Sequence, residues 1–187
     1  MPVYLSGQTA SPEREPEKVK GDHLRMEAVL AARGIARQDL ANGDSVSLGS
    51  GVSLDVLWPP PGRVLQGNDS FVLRLTWNGE CLALMTGDLE PAAQRAMLQM
   101  HEGRDISARN LVVPHHGSRR NAEPLLYERV RPEAALISAG AWRPMVFPDP
   151  GLLATLREMR IPVYATSEHG GLRVRFSKSE TQIRVTP

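Results

Sequence analysis

Two short stretches hold the residue types that could do chemistry. "LVVPHHGSRR" (111–120) closes an apolar run with adjacent imidazoles, His115 and His116, and "CLALMTGDLE" (81–90) closes another with the carboxylate of Asp88. A carboxylate supplies hard oxygen and an imidazole supplies borderline nitrogen, a donor pair suited to zinc or manganese. Each residue also has a purely structural explanation. Asp88 could be a turn former, or a favourable charge ahead of a helix that begins at Pro91. Adjacent histidines in an extended segment point to opposite sides, so at most one faces a given site. Ser118, Arg119 and Arg120 follow directly, a hydroxyl and two guanidiniums that could hold a phosphate or could be solvated loop residues. Ser118 as a nucleophile with His116 as its base is the weakest reading, because no G-x-S-x-G elbow surrounds it.

Bringing Asp88 and the histidines together requires strands that end at a common edge. "FVLRLTWNGECLALM" predicts a hairpin turning at Asn78-Gly79, with Phe71, Leu73, Leu75 and Trp77 on one face of its first arm. The second arm, Cys81 to Met85, is apolar at every residue, as expected of an inner strand covered on both faces. Downstream the pattern predicts a helix from Pro91 with Ala93, Ala96, Met97 and Met100 inward, a strand over 110–114, a helix over 123–130 and a strand over 134–138. A helix from Pro150 then turns Leu152, Leu153, Leu156 and Met159 inward, ahead of strand "PVYAT", a Gly170-Gly171 turn and strands "LRVRF" and "TQIRV". Upstream, "VYLS" precedes a helix capped by Asp22 and running to about Arg33, with Leu24, Ala28 and Ala31 or Ala32 at helical spacing. Strands "SVSLG" and "VSLDVLW" follow it. The stretches 10–20 and 59–70 read as loops. The alternation predicts an α/β fold of mixed sheets with outer helices, in which the ends of inner strands gather ligands.

Composition narrows the function classes. The 187 residues are 41% hydrophobic, enough for one domain or slightly more with a true core. A net charge of +1, from 22 basic and 21 acidic residues, gives no global field that recruits nucleic acid, so any such contact must come from a local patch. The alternation of Arg173, Arg175 and Arg184 on the last hairpin reads first as an exposed strand face and second as a DNA track. Cys81 is the only cysteine, which excludes an intrachain disulfide and predicts a buried thiol. No stretch approaches the roughly 20 apolar residues of a membrane-spanning helix, and no signal region follows Met1, so this piece is expected to be soluble.

In their order, "NDSFVLRL", "LMTGDLE", "NLVVPHHGSRR", "LISAG" and "VYATSEHGGLRV" resemble the metallo-β-lactamase-like domain at the carboxy end of ComEC competence proteins, the DNA-uptake channels of bacteria. The resemblance covers most of the chain, weakly before residue 45 and specifically from 68 to 120. It implies an αββα sandwich, and a divalent metal (zinc or manganese) serving a nuclease that degrades the DNA strand not taken up. It also implies roles: Asp88 and His115 as metal ligands, His116 and Ser118 in catalysis, Arg119 and Arg120 on phosphate. Two departures stand out. The family's H-x-H-x-D-H loop is absent, and Phe147 in "RPMVFPDPG" occupies the place of a family histidine. The expectation is therefore the carboxy-terminal part of the domain over 1–187, with an incomplete sandwich, no metal firmly held and no activity alone. The implied partners are DNA, a membrane-embedded channel portion of the same polypeptide, and a second copy of the chain through an uncovered edge strand. The implied location is a soluble domain of an inner or cell-membrane protein, on either side of the membrane. The alternative is a noncatalytic domain with a binding or scaffolding role in DNA uptake.

Overall fold

Apolar strands separated by helix-forming segments can bury both faces only by layering, and the chain does so. A computed structural model describes residues 3–6, 17–62, 70–119, 123–140, 147–178 and 180–186. Seven strands form the main sheet: β3 (Ser45–Gly49), β4 (Val52–Trp58), β5 (Val72–Trp77), β6 (Glu80–Met85), β7 (Asn110–Val112), β8 (Ala134–Ile137) and β9 (Val163–Ala165), side by side in sequence order. From β3 to β6 neighbours run antiparallel, and from β6 to β9 they run parallel. Parallel neighbours need crossovers. These are α2 (Pro91–Met100), α3 (Pro124–Val130) and α4 (Pro150–Glu158). Two smaller pairs lie outside the sheet: β1 (Val3–Ser6) parallel to β2 (Arg37–Leu40), and an antiparallel ribbon of β10 (Gly171–Phe176) and β11 (Thr181–Thr186). The mixed α/β class expected from the sequence is the class observed.

The β5–β6 hairpin turns where its sequence demands. Asn78 and Gly79 both take positive φ, 51° and 85°, the signature of a two-residue turn matched to strand twist. Leu84, Leu111, Ala135 and Ile137 from the sheet join Met97 and Leu98 of α2, Leu126 and Tyr127 of α3, and Leu152 and Leu156 of α4 in one core. Leu73, Leu75 and Trp77 share the opposite face of β5 and are half-buried.

Three helix expectations change. The first helix, α1 (Glu17–Ala32), begins five residues before Asp22 and takes in 17–20 of the expected loop. Glu17 to Lys20 contain no helix breaker, and Pro16 is tolerated just ahead of a first turn; residues 7–16 lie outside the described set. Leu24 and Ala28 of its expected inner stripe are exposed, and Met26 and Leu30 are the more buried. In α2 the stripe is rotated. Met97, Leu98 and Gln94 are buried, Ala93 and Ala96 are partly so, and Met100 is 36% exposed. Burying Leu98 removes more apolar area from water than burying either alanine. The amide of Gln94, buried as a consequence, donates to Leu89 O at 2.7 Å. At the far end, Thr166–His169 form a one-turn helix, α5, ahead of the Gly170 turn, and β10 starts at Gly171 itself.

Candidate metal centre

Parallel strands place their C-terminal ends on one side, so the loops after β6, β7 and β8 converge. The loop after β6 carries Asp88, the loop after β7 carries His115 and His116, and Ser138 follows β8. Backbone and hydroxyl contacts tie these loops together. The Thr86 hydroxyl, fully buried, donates to Val112 O at 2.6 Å, and His115 N donates to Gly87 O at 2.9 Å. Asp88 N donates to Ser70 Oγ at 2.9 Å. A side chain at Gly87 would stand 2.9 Å from Ser70 Cβ, so the turn that presents Asp88 requires glycine.

The histidine segment, Pro114–Gly117, is not extended. His115 and His116 both adopt left-handed backbone, with φ of 50° and 56°, and Gly117 follows at 80°. Two successive non-glycine residues in this region store strain that the neighbours must sustain. Those neighbours are visible: Ser118 N donates to His115 O at 3.0 Å, Asp149 N donates to Gly117 O at 2.9 Å, and Pro148 packs so closely that a Cβ on Gly117 would lie 2.8 Å from it. The curl sets the two rings edge to face, 6.3 Å between centroids and 89° between planes.

Of the two histidines, His116 is the one beside Asp88. Its Nδ1 lies 2.6 Å from Ser138 O, and a carbonyl only accepts, so Nδ1 carries the proton. Whenever the ring is neutral, Nε2 is therefore the nitrogen that presents a lone pair, and it stands 3.5 Å from Asp88 Oδ1. Two ligands about 2 Å from a single tetrahedral ion are roughly 3.3 Å apart, so this spacing suits a shared cation. An outer hydrogen bond that fixes the tautomer is the usual support for a ligating imidazole. Both side chains are 53% exposed. The donor chemistry fits a divalent ion, but the number falls short: among the described residues no group of three His, Cys, Asp or Glu could hold one.

The remaining candidates fall as follows. Ser118 is half-buried at the end of the curl, and neither nitrogen of His116 meets its hydroxyl, which gives the nucleophile reading no hydrogen-bonded base. Arg119 is exposed beside Gly151 at the start of α4. Arg120 lies outside the described residues. Phe147 is half-buried and packs against the core. His101 is buried, with Nε2 3.0 Å from both Leu57 O and Asn42 Nδ2, which is a structural role. Ser138 and Ser70 escaped the sequence reading. Ser138 acts through its main-chain carbonyl, which leaves no trace in residue type, and Ser70 is 18 residues from Asp88.

No family model matches the sequence. The chain is 28% identical over 134 residues to Recombination protein 2 of Haemophilus influenzae, a match covering 72% of this chain and 16% of that protein. It is 28% identical over 165 residues to ComE operon protein 3 of Bacillus subtilis, covering 86% of this chain and 21% of the other. The chain thus spans about a fifth of the length of these relatives. A solved structure titled a novel metallo hydrolase from the archaeon Ignicoccus hospitalis aligns with a TM-score of 0.47 and 14% identity, over 87% of this chain and 66% of that one.

Proposed function

From this kinship with ComEC competence proteins, we propose that the chain is the metallo-hydrolase-like domain of a DNA-uptake protein. In this reading Asp88 and His116 supply two ligands of a divalent centre that cleaves phosphodiesters, and this chain alone turns over little or nothing. The observation that carries it is the Asp88–His116 pair across adjacent strand ends, with His116 Nδ1 anchored on Ser138 O. When bound, zinc or manganese would supply Lewis acidity and offset charge on phosphoryl oxygens. The chain's own residues have separate tasks. Ser138 orients the imidazole, the Thr86 and Gly87 contacts hold the carboxylate loop against the histidine loop, and Arg119, with Arg120, offers charge to a phosphate. Two ligands are fewer than the three that catalytic zinc takes from protein, which is the reason for expecting no turnover.

The larger polypeptide is proposed to contain a membrane-embedded channel and to act on the non-transported DNA strand. Among the described residues no helix is long and apolar enough to cross a membrane, so in this reading the chain is a domain attached to that channel. Among the described residues β3 and β9 are the edges of the main sheet, and in this reading they pair with a second copy. One observation favours the noncatalytic alternative: Phe147, where the family has a histidine, packs against the core and cannot ligate.

The test measures manganese and zinc binding by calorimetry, together with cleavage of single- and double-stranded DNA, for the chain and for Asp88→Ala. Weak binding that Asp88→Ala removes, with negligible cleavage, is expected. Binding unchanged in Asp88→Ala would remove the site. Robust metal-dependent cleavage that vanishes in Asp88→Ala would overturn the view that two ligands leave the centre incomplete.

A further inference from the structure

The β10–β11 ribbon has two unlike faces. Leu172, Val174, Phe176 and Ile183 are half-buried on one, and Arg173, Arg175 and Arg184 are exposed on the other. The register sets Arg173 directly opposite Arg184, and Arg175 opposite Gln182. Like charges directly across an antiparallel pair destabilise it. None of the three arginines makes an ion pair among the described residues, and their face contains no acid, only Gly171, Gln182 and Thr186 besides. The nearest carboxylate along the strands, Glu180 in the turn, accepts from the amide of Gln182. In a chain whose net charge is only +1, this is a local cationic surface maintained against its own repulsion.

Val174 and Phe176, on the other face, wall a groove of about 380 Å³ together with Trp77, Val52 and Leu82 of the main sheet, and Arg173 and Arg175 also line it. Both aromatic rings are half-buried. Cationic side chains that track a backbone, next to aromatic rings on which unpaired bases can stack, are the two elements of single-strand recognition. Along the strand Arg173 and Arg175 are about 7 Å apart and the cross-strand pair about 5 Å, so the three cations can meet successive phosphates.

We propose that the exposed face of the β10–β11 ribbon is a binding surface for single-stranded DNA, with Arg173, Arg175 and Arg184 on phosphates and the Trp77–Phe176 groove receiving bases. The proposal rests on the DNA-handling reading above for the identity of the polyanion, and it uses no residue of the Asp88 centre.

The experiment is fluorescence anisotropy of a labelled 20-nucleotide single strand with the full chain, in EDTA so that no metal contributes. Three phosphate contacts on a single strand predict binding that weakens about 20-fold between 50 and 200 mM salt. Joint substitution Arg173→Gln, Arg175→Gln and Arg184→Gln should abolish that binding and leave the thermal midpoint unchanged or higher, since a repulsive pair is gone. The matching lysine substitutions should keep most of the binding. Removing the same charge elsewhere, by Arg33→Gln, Arg104→Gln and Arg157→Gln, should leave it intact. The proposal is overturned by wild-type affinity in the glutamine variant, by equal loss in the charge-matched control, by tighter binding to a duplex of equal length, or by a preference for phosphatidylserine vesicles over DNA. An absence of metal binding or cleavage bears only on the Asp88 centre.

Discussion

Tyr127 shows at the scale of one residue how burial sets proton affinity. Its hydroxyl is buried with no hydrogen-bond partner among the described residues, and desolvation pushes its pKa well above the ordinary 10.0. Cys81 behaves alike. Burial raises its thiol above the ordinary 9.0, against the opposing pull of the nearby Arg74 guanidinium. Both groups hold their protons more tightly folded than unfolded, so their contribution is complete below about pH 9 and is lost as pH rises past it. Urea unfolding between pH 7 and 11 should therefore show stability that is flat and then falls. Tyr127→Phe should leave neutral-pH stability unchanged or raise it by up to about 1 kcal/mol, because it removes a buried unpaired hydroxyl, and should flatten part of the alkaline decline. A clear loss at neutral pH would mean that the hydroxyl has a partner.

At the scale of the element, α4 is set by the residue that precedes it. The Asp149 carboxylate accepts from Gly151 N at 2.8 Å and from Leu152 N at 3.2 Å, and Pro150 follows where its missing N–H matters least. The same residue donates its own N–H to Gly117 O, which links the cap to the histidine curl. Asp149→Ala should cost about 1 kcal/mol in urea unfolding, and Asp149→Asn or Asp149→Ser should recover most of it. A loss well under this would show that the cap bonds contribute little and that Leu152 and Leu156 alone hold the helix.

Arg109 joins the ribbon to the main sheet at the scale of the whole molecule. From the start of β7 its Nε donates to Glu80 Oε1 at 2.7 Å, while its two terminal nitrogens donate to Ser177 O at 2.9 Å and Lys178 O at 3.0 Å in the ribbon turn. One planar fork thus spans β6, β7 and the β10–β11 hairpin. Arg109→Ala should cost about 1.5–3 kcal/mol by chemical denaturation, the range for hydrogen bonds to a charged group, and Arg109→Lys should recover less than half, because an ammonium cannot meet three acceptors in that plane. Hydrogen exchange should rise over 171–186 while β6 to β8 stay protected. A uniform rise across the chain would show that Arg109 supports the core rather than docking the ribbon.

What the sequence determined by itself was local. The order of strands and helices apart from β2 and α5, the Asn78-Gly79 turn, the fully apolar β6, the Asp149-Pro150 helix start and the buried Cys81 were legible because each follows from side-chain periodicity, turn chemistry or burial within a few residues. Asp88 and the histidine pair were legible as loaded strand ends, as were Arg173, Arg175 and Arg184 as an exposed face. Only the tertiary structure decided which histidine stands beside Asp88, because that depends on a left-handed curl at His115 and His116 sustained by Gly87 from one other loop and by Ser138 and Pro148 from another. It also decided the rotation of α2, where the sheet buried Leu98 in preference to Ala93 and Ala96, and the pairing of Arg173 with Arg184, which is a matter of register between strands. Each is settled by contacts between residues distant in the chain, whose energies no local pattern contains.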